Sequence, residues 1–312
     1  MIKISEYIQA RKSQLYFYVD VPLYNQVDNK NFLLYKPQGL SLGEMRLNED
    51  RHPEKLYIKQ SDKIQGIQEA QKAFNTQLED NIKTSPEKVK ETLVLVVEET
   101  LTEPRSGSLE GISDTIDILV SDYAKESGVI SNLISMSSKD YSTVLHSINV
   151  MAFTLAFAFY NDYSHSETQI LGLASLLHDV GKTKLPREIL EAPRKLTDEE
   201  FEIIKTHTTI GYDILKECNF KNEEISLCAL EHHEKLDGSG YPDNKTDISP
   251  MSQIIGIVDC YEAITNDDRP YRSAMQTFDA LGQVVGKDVN SGKFSKEIYI
   301  QFVQSLTGKN KT

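Results

Sequence analysis

Between residues 14 and 58 the chain sets short aromatic and β-branched runs, LYFYVDVPLY, NFLLYKP and EKLYIK, between clusters of Asn, Gly, Pro and Asp. Such runs bounded by turn formers predict strands, so residues 1–75 read as a small α/β module. From about residue 61 the apolar period lengthens to that of a helix, through SDKIQGIQEAQKAFNTQLEDNI, SPEKVKETLVLVVEETL and GSLEGISDTIDILVSDYAKE. The last two carry Ser near their starts with acidic residues following, as helix N-termini prefer. Leu93, Val96 and Val97, and then Ile112, Ile116 and Leu119, recur at helical spacing. Such a stripe packs against a neighbouring domain in the ordinary case and forms a dimerising connector in the alternative. Residues 76–128 are therefore a helical connector, and 129–312 are again mostly helical. The fold class expected is mainly α, with a small α/β module at its N-terminal end. The most apolar run, Ile148 to Tyr160, is interrupted by Asn149 and Thr154 and is shorter than the ~20 residues that cross a bilayer. It predicts a buried helix and no membrane span. Neither an internal repeat nor a low-complexity tract is evident.

Charge narrows the range of partners. The formal net charge is −13 over 312 residues, which argues against binding a DNA or RNA polymer, since that footprint needs clustered Lys and Arg. A phosphate-bearing substrate would need positive charge supplied locally. The three cysteines, Cys218, Cys228 and Cys260, are scattered and form no CxxC pair, so a reducing cytoplasm is the expected location. The opening MIKISEYIQARKSQ lacks the apolar core of a secretory signal.

Seven histidines are present. His52 and His165 stand in polar surroundings and read as solvated side chains. His146, His178, His207, His232 and His233 each lie in or beside an expected helix with apolar neighbours. A lone imidazole there is ordinarily a hydrogen-bonded core residue, but five in one domain call for a common cause. Asp179 ends the apolar run LGLASLLHD and Asp259 ends IIGIVD; a carboxylate in such a place is costly unless paired or bound to metal. A metal cluster resolves these costs together. Imidazole and carboxylate without thiolate suit iron, manganese or a catalytic zinc. Side chains of adjacent helical residues diverge by roughly 100°, so the pair His232-His233 must serve a crowded cluster from two directions. Five imidazoles and two carboxylates exceed what one catalytic ion takes, and two divalent ions sharing a carboxylate are the economical arrangement.

The string LLHDVGKTKLPREILEAPRKLTDEEFEIIKTHTTIGYDIL, followed by EHHEKLDGSGYP and VDCYEAITNDDRPYR, closely resembles the HD-GYP family of cyclic-di-GMP phosphodiesterases over roughly residues 139–290. The resemblance implies an all-helical HD-type domain at 129–312 with two metals, commonly iron or manganese. One ion would be held by His146, His178, Asp179 and Asp259, the second by His207, His232 and His233, with Asp179 bridging. Two ions about 3.5–4 Å apart can turn a bridging water into hydroxide and orient an in-line displacement at phosphorus. Lys182, Arg269 and Arg272 are expected to neutralise the phosphodiester, the arginines bidentately; without the resemblance both arginines would read as a solvated loop. Gly238 and Gly240 permit a tight turn that presents Tyr241 and Pro242 at the mouth of the site, with Tyr241 stacking on or hydrogen-bonding substrate. Taken alone, GSGYP is only a turn. The chain departs from the family at Ser142, where some members carry a carboxylate for a third metal. It departs again after Asp259, where Glu262 stands at a common Asp position and one more residue precedes RPYR.

The activity implied is hydrolysis of cyclic-di-GMP to pGpG, to GMP, or to both. The alternatives are a cyclic-dinucleotide receptor with little turnover and a phosphohydrolase acting on another nucleotide. The N-terminal module reads as a regulatory or sensory part, with a homodimer mate or a regulatory protein as its partner.

Overall fold

A computed structural model describes residues 6–12, 14–28, 31–44, 52–102, 104, 107–123, 143–218, 220–266 and 275–307. The chain divides into two compact units, Met1–Gln77 and Leu78–Thr312. The first holds a four-stranded antiparallel sheet in the order β1-β4-β2-β3, with β1 at Tyr7–Gln9, β2 at Leu23–Gln26, β3 at Phe32–Lys36 and β4 at Tyr57–Lys59. Ile8 pairs with Ile58 and Gln26 with Phe32. Leu15, Tyr18, Val21, Leu23, Leu42, Leu56 and Ile58 form its core. Lys36 is fully buried; its ammonium donates to the carbonyls of Val19, Pro37 and Leu40 at 3.0, 3.2 and 2.8 Å.

Two expectations fail here. The run from Leu15 to Asp20 forms successive turns, with Phe17 N–H donating to Gln14, because Leu15, Tyr18 and Val21 can all reach the core from a folded-back segment. Strand β1 adds a second difference, since YIQ at Tyr7–Gln9 is too short to signal itself in the sequence. The helix α1 then spans Lys63–Thr84.

The second unit is helical among its described residues. Helix α2 is Val89–Thr102 and α3 is Ile112–Tyr123. Ser85 stands before a single 3₁₀ turn, Pro86–Lys88, and makes no side-chain capping hydrogen bond, so the expected serine start is not used. The stripe Leu93, Val96, Val97, Ile112, Ile116 and Leu119 is completely buried. Next come α4 at Thr143–Tyr160, α5 at His165–Leu177, α6 at Asp198–Lys205, α7 at His207–Lys216, α8 at Glu224–Glu231, α9 at Pro250–Thr265 and α10 at Lys296–Thr307. Ser164 with Glu167, and Thr197 with Glu200, form capping boxes that fix where α5 and α6 begin. Ser249 accepts from Ser252 N–H ahead of Pro250 at the start of α9.

The core joins α4, α5, α9 and α10 through Val150, Phe157, Leu171, Ile254, Ile257, Val258, Tyr261 and Phe302. Among the described residues α4 is the one helix long and apolar enough to cross a membrane, and 61% of it is buried inside the protein. Two close approaches set the helix ends that matter below. A Cβ on Gly181 would sit 2.0 Å from the carbonyl oxygen of His207, and one on Gly256 of α9 would sit 2.5 Å from that of His232.

Candidate metal centre

Four helix ends and one helix middle converge. His146 lies in the first turn of α4, and His178 ends α5. Asp179 opens the 3₁₀ turn Val180–Lys184, His207 opens α7, and His232 and His233 follow the last turn of α8. Asp259 projects from within α9. Because the chain is leaving the helix at His232, the adjacent pair escapes the helical divergence: the rings lie 4.1 Å apart, and both reach the pocket.

Asp179 sits at the middle. Its Oδ2 is 3.4 Å from Nε2 of His146 and 3.4 Å from Nε2 of His178. Its Oδ1 faces the other way, 3.2 Å from Nε2 of His207 and 3.8 Å from Nε2 of His232. Asp259 also reaches both sides, with Oδ1 3.0 Å from His146 Nε2 and Oδ2 3.9 Å from His233 Nδ1. Donor atoms of His146, His178 and Asp179 lie within 4.8 Å of one another, as do those of His207, His232 and His233.

The outer ring nitrogens reveal which tautomer each imidazole holds. Nδ1 of His178 is 2.7 Å from the Ser175 carbonyl, that of His207 is 2.7 Å from Ile204, and that of His232 is 3.0 Å from both Cys228 and Ala229. A carbonyl only accepts, so each Nδ1 carries the proton and each Nε2 turns a bare lone pair inward. His207 and His232 thus bring two acceptor nitrogens within 3.3 Å, and two lone pairs repel unless something positive lies near. Nε2 of His178 and Oδ1 of Asp179 are buried and make no hydrogen bond among the described residues. A thiolate-free pocket of carboxylates and inward-facing imidazole lone pairs with orphaned atoms fits divalent cations.

Ionisation follows the same division. Burial pushes the His207 imidazole down to about 4 and holds His232 and His233 well below the ordinary value. Burial also opposes charge on His146, but Glu262 and Asp259 outweigh it and raise that imidazole to about 9. Burial would raise Asp179, yet the Lys182 ammonium 2.5 Å away holds its carboxyl well below the usual range. At Asp259 burial is likewise outweighed, by His146.

Around this centre, Tyr241 lays its ring 4.7 Å from that of His233, tilted by 30°. Gly238 has φ +76°, and a Cβ on Gly240 would sit 2.4 Å from Glu234 Cα, so the two glycines serve the turn for different reasons. Pro242 follows Tyr241 through a cis peptide. Arg269, Arg272 and Ser142 lie outside the described residues. His165 pairs with Asp117 at 3.0 Å, and in the first unit His52 is half-buried against the Tyr35 hydroxyl at 2.9 Å.

Several contributors were not singled out by sequence. Buried Glu234 accepts from the N–H groups of Asp243 and Lys245 at 2.7 and 3.0 Å, and buried Glu231 from that of Ser249 at 3.1 Å, pinning the glycine-rich loop. Their signal was present in EHHE, where two acids flank two imidazoles. Exposed Phe201 is 6.3 Å from the Tyr241 ring, and the Lys205 ammonium lies 5.1 and 5.6 Å from those two rings. Nothing in DEEFEIIK marks these as other than a solvated helical face.

Comparison with known proteins agrees with this geometry. Residues 128–290 match the family model described as HD domain. A cyclic di-GMP phosphodiesterase of Pseudomonas aeruginosa, PA4108, is 31% identical over 62% of this chain and 46% of its own length. The Xanthomonas campestris response regulator RpfG, named a cyclic di-GMP phosphodiesterase, is 38% identical over 38% of this chain and 31% of its own. A 3′3′-cGAMP-specific phosphodiesterase of Vibrio cholerae is 34% identical over 43% and 31%. The chain thus spans less than half the length of these relatives. In structure it resembles Bd1817, an HDG"Y"P protein of Bdellovibrio bacteriovorus, with TM-score 0.64 at 19% identity, covering 97% of this chain and 100% of the other.

Proposed function

Since this chain belongs to the HD domain family, we propose that it is a metal-dependent phosphodiesterase that opens cyclic-di-GMP to pGpG, to GMP, or to both. The observation that carries this reading is the division of Asp179, one carboxylate oxygen toward His146 and His178 and the other toward His207 and His232. On this reading His146, His178, Asp179 and Asp259 would hold one divalent ion, and His207, His232 and His233, with Asp179, a second; iron or manganese suits the donor set. When bound, such ions supply Lewis acidity toward a phosphoryl oxygen and lower the pKa of water.

The chain's own groups do the rest. Lys182, with part of its side chain exposed while its ammonium holds Asp179, can turn one donor to a non-bridging oxygen. Burial keeps the Tyr241 hydroxyl protonated, above its ordinary value, so it acts as a hydrogen-bond donor and not as a base. Its ring, with Pro242, Phe201 and Lys205 beside it, offers a base a stacking surface and a cation at the rim. Arg269 and Arg272 are proposed to clamp the phosphates. The three free cysteines suit a cytoplasmic setting, and a homodimer mate or regulatory protein is proposed as partner of the N-terminal unit.

The test is direct. Protein purified without oxygen and loaded with iron or manganese is incubated with cyclic-di-GMP and 3′3′-cGAMP, and products are separated. Cyclic-di-GMP should be opened. The 34% identity to a relative named for cGAMP makes that dinucleotide the second reading, favoured if it turns over faster. Binding without products would point to a receptor, and hydrolysis of mononucleotides alone to a different phosphohydrolase.

A further inference from the structure

Glu262 stands behind the candidate metal centre and touches it through His146. Its Oε2 lies 2.5 Å from His146 Nδ1, one helical turn beyond Asp259, whose Oδ1 is 3.0 Å from Nε2 of the same ring. Successive turns of α9 therefore grip both nitrogens of one imidazole. The other Glu262 oxygen accepts from Asn149 Nδ2 at 2.9 Å and from Asn266 Nδ2 at 2.7 Å. Asn149 is one turn past His146 on α4, and its Oδ1 accepts from the Lys90 ammonium of α2 at 3.0 Å. Glu262 and Lys90 are buried.

His146 differs in this from its neighbours. His178, His207 and His232 have their tautomers fixed by backbone carbonyls three or four residues back in the chain, on α5, α6 and α8, which move only if the backbone does. His146 takes its orientation from a side chain, and that side chain is tethered through Asn149 to a different helix. The Glu262 carboxylate holds the proton on Nδ1, fixes the ring so that Nε2 points at Asp179 and Asp259, and makes the imidazole a more basic donor.

We propose that Glu262 is the positioning residue for His146, and that the chain Lys90–Asn149–Glu262 makes metal affinity depend on where α2 stands. The proposal rests on the metal-site reading above and does not depend on which substrate is hydrolysed. A one-turn shift or a rotation of α2 would withdraw the Lys90 donor, free Asn149 to turn, and loosen Glu262, so a signal reaching the connector helix would be read at the centre.

The test uses the full chain, stripped of metal, with Mn²⁺ affinity measured by competition against a chromophoric chelator and folding checked by circular dichroism and thermal melting. Glu262→Gln keeps the shape and loses the charge; its Kd should rise about ten- to a hundredfold. Lys90→Met keeps the length and loses the donor; a rise of about two- to thirtyfold is expected although it touches no ligand. Combining the two should be no worse than Glu262→Gln alone, since both act along one path. Glu262→Asp, which keeps charge but falls short by a methylene, should lie between wild type and Glu262→Gln, and it serves if Glu262→Gln does not fold. A folded Glu262 variant with wild-type affinity overturns the positioning role. Wild-type affinity in Lys90→Met, or full additivity in the double variant, overturns the link to α2. If the wild type itself takes up no Mn²⁺, the metal reading fails and this proposal with it.

Discussion

Asp179 has two oxygens facing two sets of imidazoles, and removing it should be felt on both sides. Asp179→Ala is expected to lose at least one metal equivalent by elemental analysis and to abolish hydrolysis; full metal content with near-normal turnover would overturn the assignment. Tyr241 makes a smaller claim. Its ring beside His233 survives in Tyr241→Phe while the donor is lost, so turnover should fall about ten- to a thousandfold, in line with single donors to a developing oxyanion. An unchanged rate would leave the tyrosine a part of the loop. The seven ligating candidates could be picked out in the sequence because burying an imidazole or a carboxylate demands a reason, and Asp179 and Asp259 each end a run of apolar residues. Glu262 stands out in the sequence only as a Glu at a common Asp position, while its contact with His146 joins residues 116 positions apart, which no local pattern encodes.

The second unit was legible as mostly helical, while the starts of α5 and α6 rest on capping boxes that were not singled out. The strands were legible at β3 and β4 and misplaced at Leu15–Asp20, because an aromatic run satisfies a core from turns as well as from a strand. Where helices cross, small residues decide how near they come. Gly256→Ala would drive a methyl into the His232 carbonyl, 2.5 Å away, so α8 and α9 must part. The expected loss is about 1–3 kcal/mol of stability, seen as a lowered melting temperature, together with weaker metal binding because His232 rides on the displaced end. A variant melting as wild type would show that α9 can slide without cost.

For the molecule as a whole, the centre makes stability depend on pH when metal is removed. His207, with its folded pKa near 4, binds its proton more readily in the unfolded chain. Stability is therefore full above about 6.5 and falls as pH drops toward 4, by about 1.4 kcal/mol per unit in that window. His232 and His233, also depressed, steepen the fall. His146, raised to about 9, works oppositely: its contribution is complete below 6.5 and is lost as pH rises through 9. Chelated protein should thus be most stable near pH 6.5, judged by denaturant midpoints across pH 4–9. A flat profile would mean that these imidazoles titrate normally. Distribution of roles between the two units was less legible, since the connector stripe Leu93–Leu119 shows only that it is apolar, and its burial within the second unit is a three-dimensional fact.

The inward lone pairs carry a calorimetric signature. At neutral pH three of the rings, His207, His232 and His233, arrive already stripped of any second hydrogen, whereas His146 holds one. Filling the pocket should accordingly expel the hydrogen ion of His146 while these three give up none, and heats measured in buffers of different ionisation enthalpy would reveal the release as a non-zero slope.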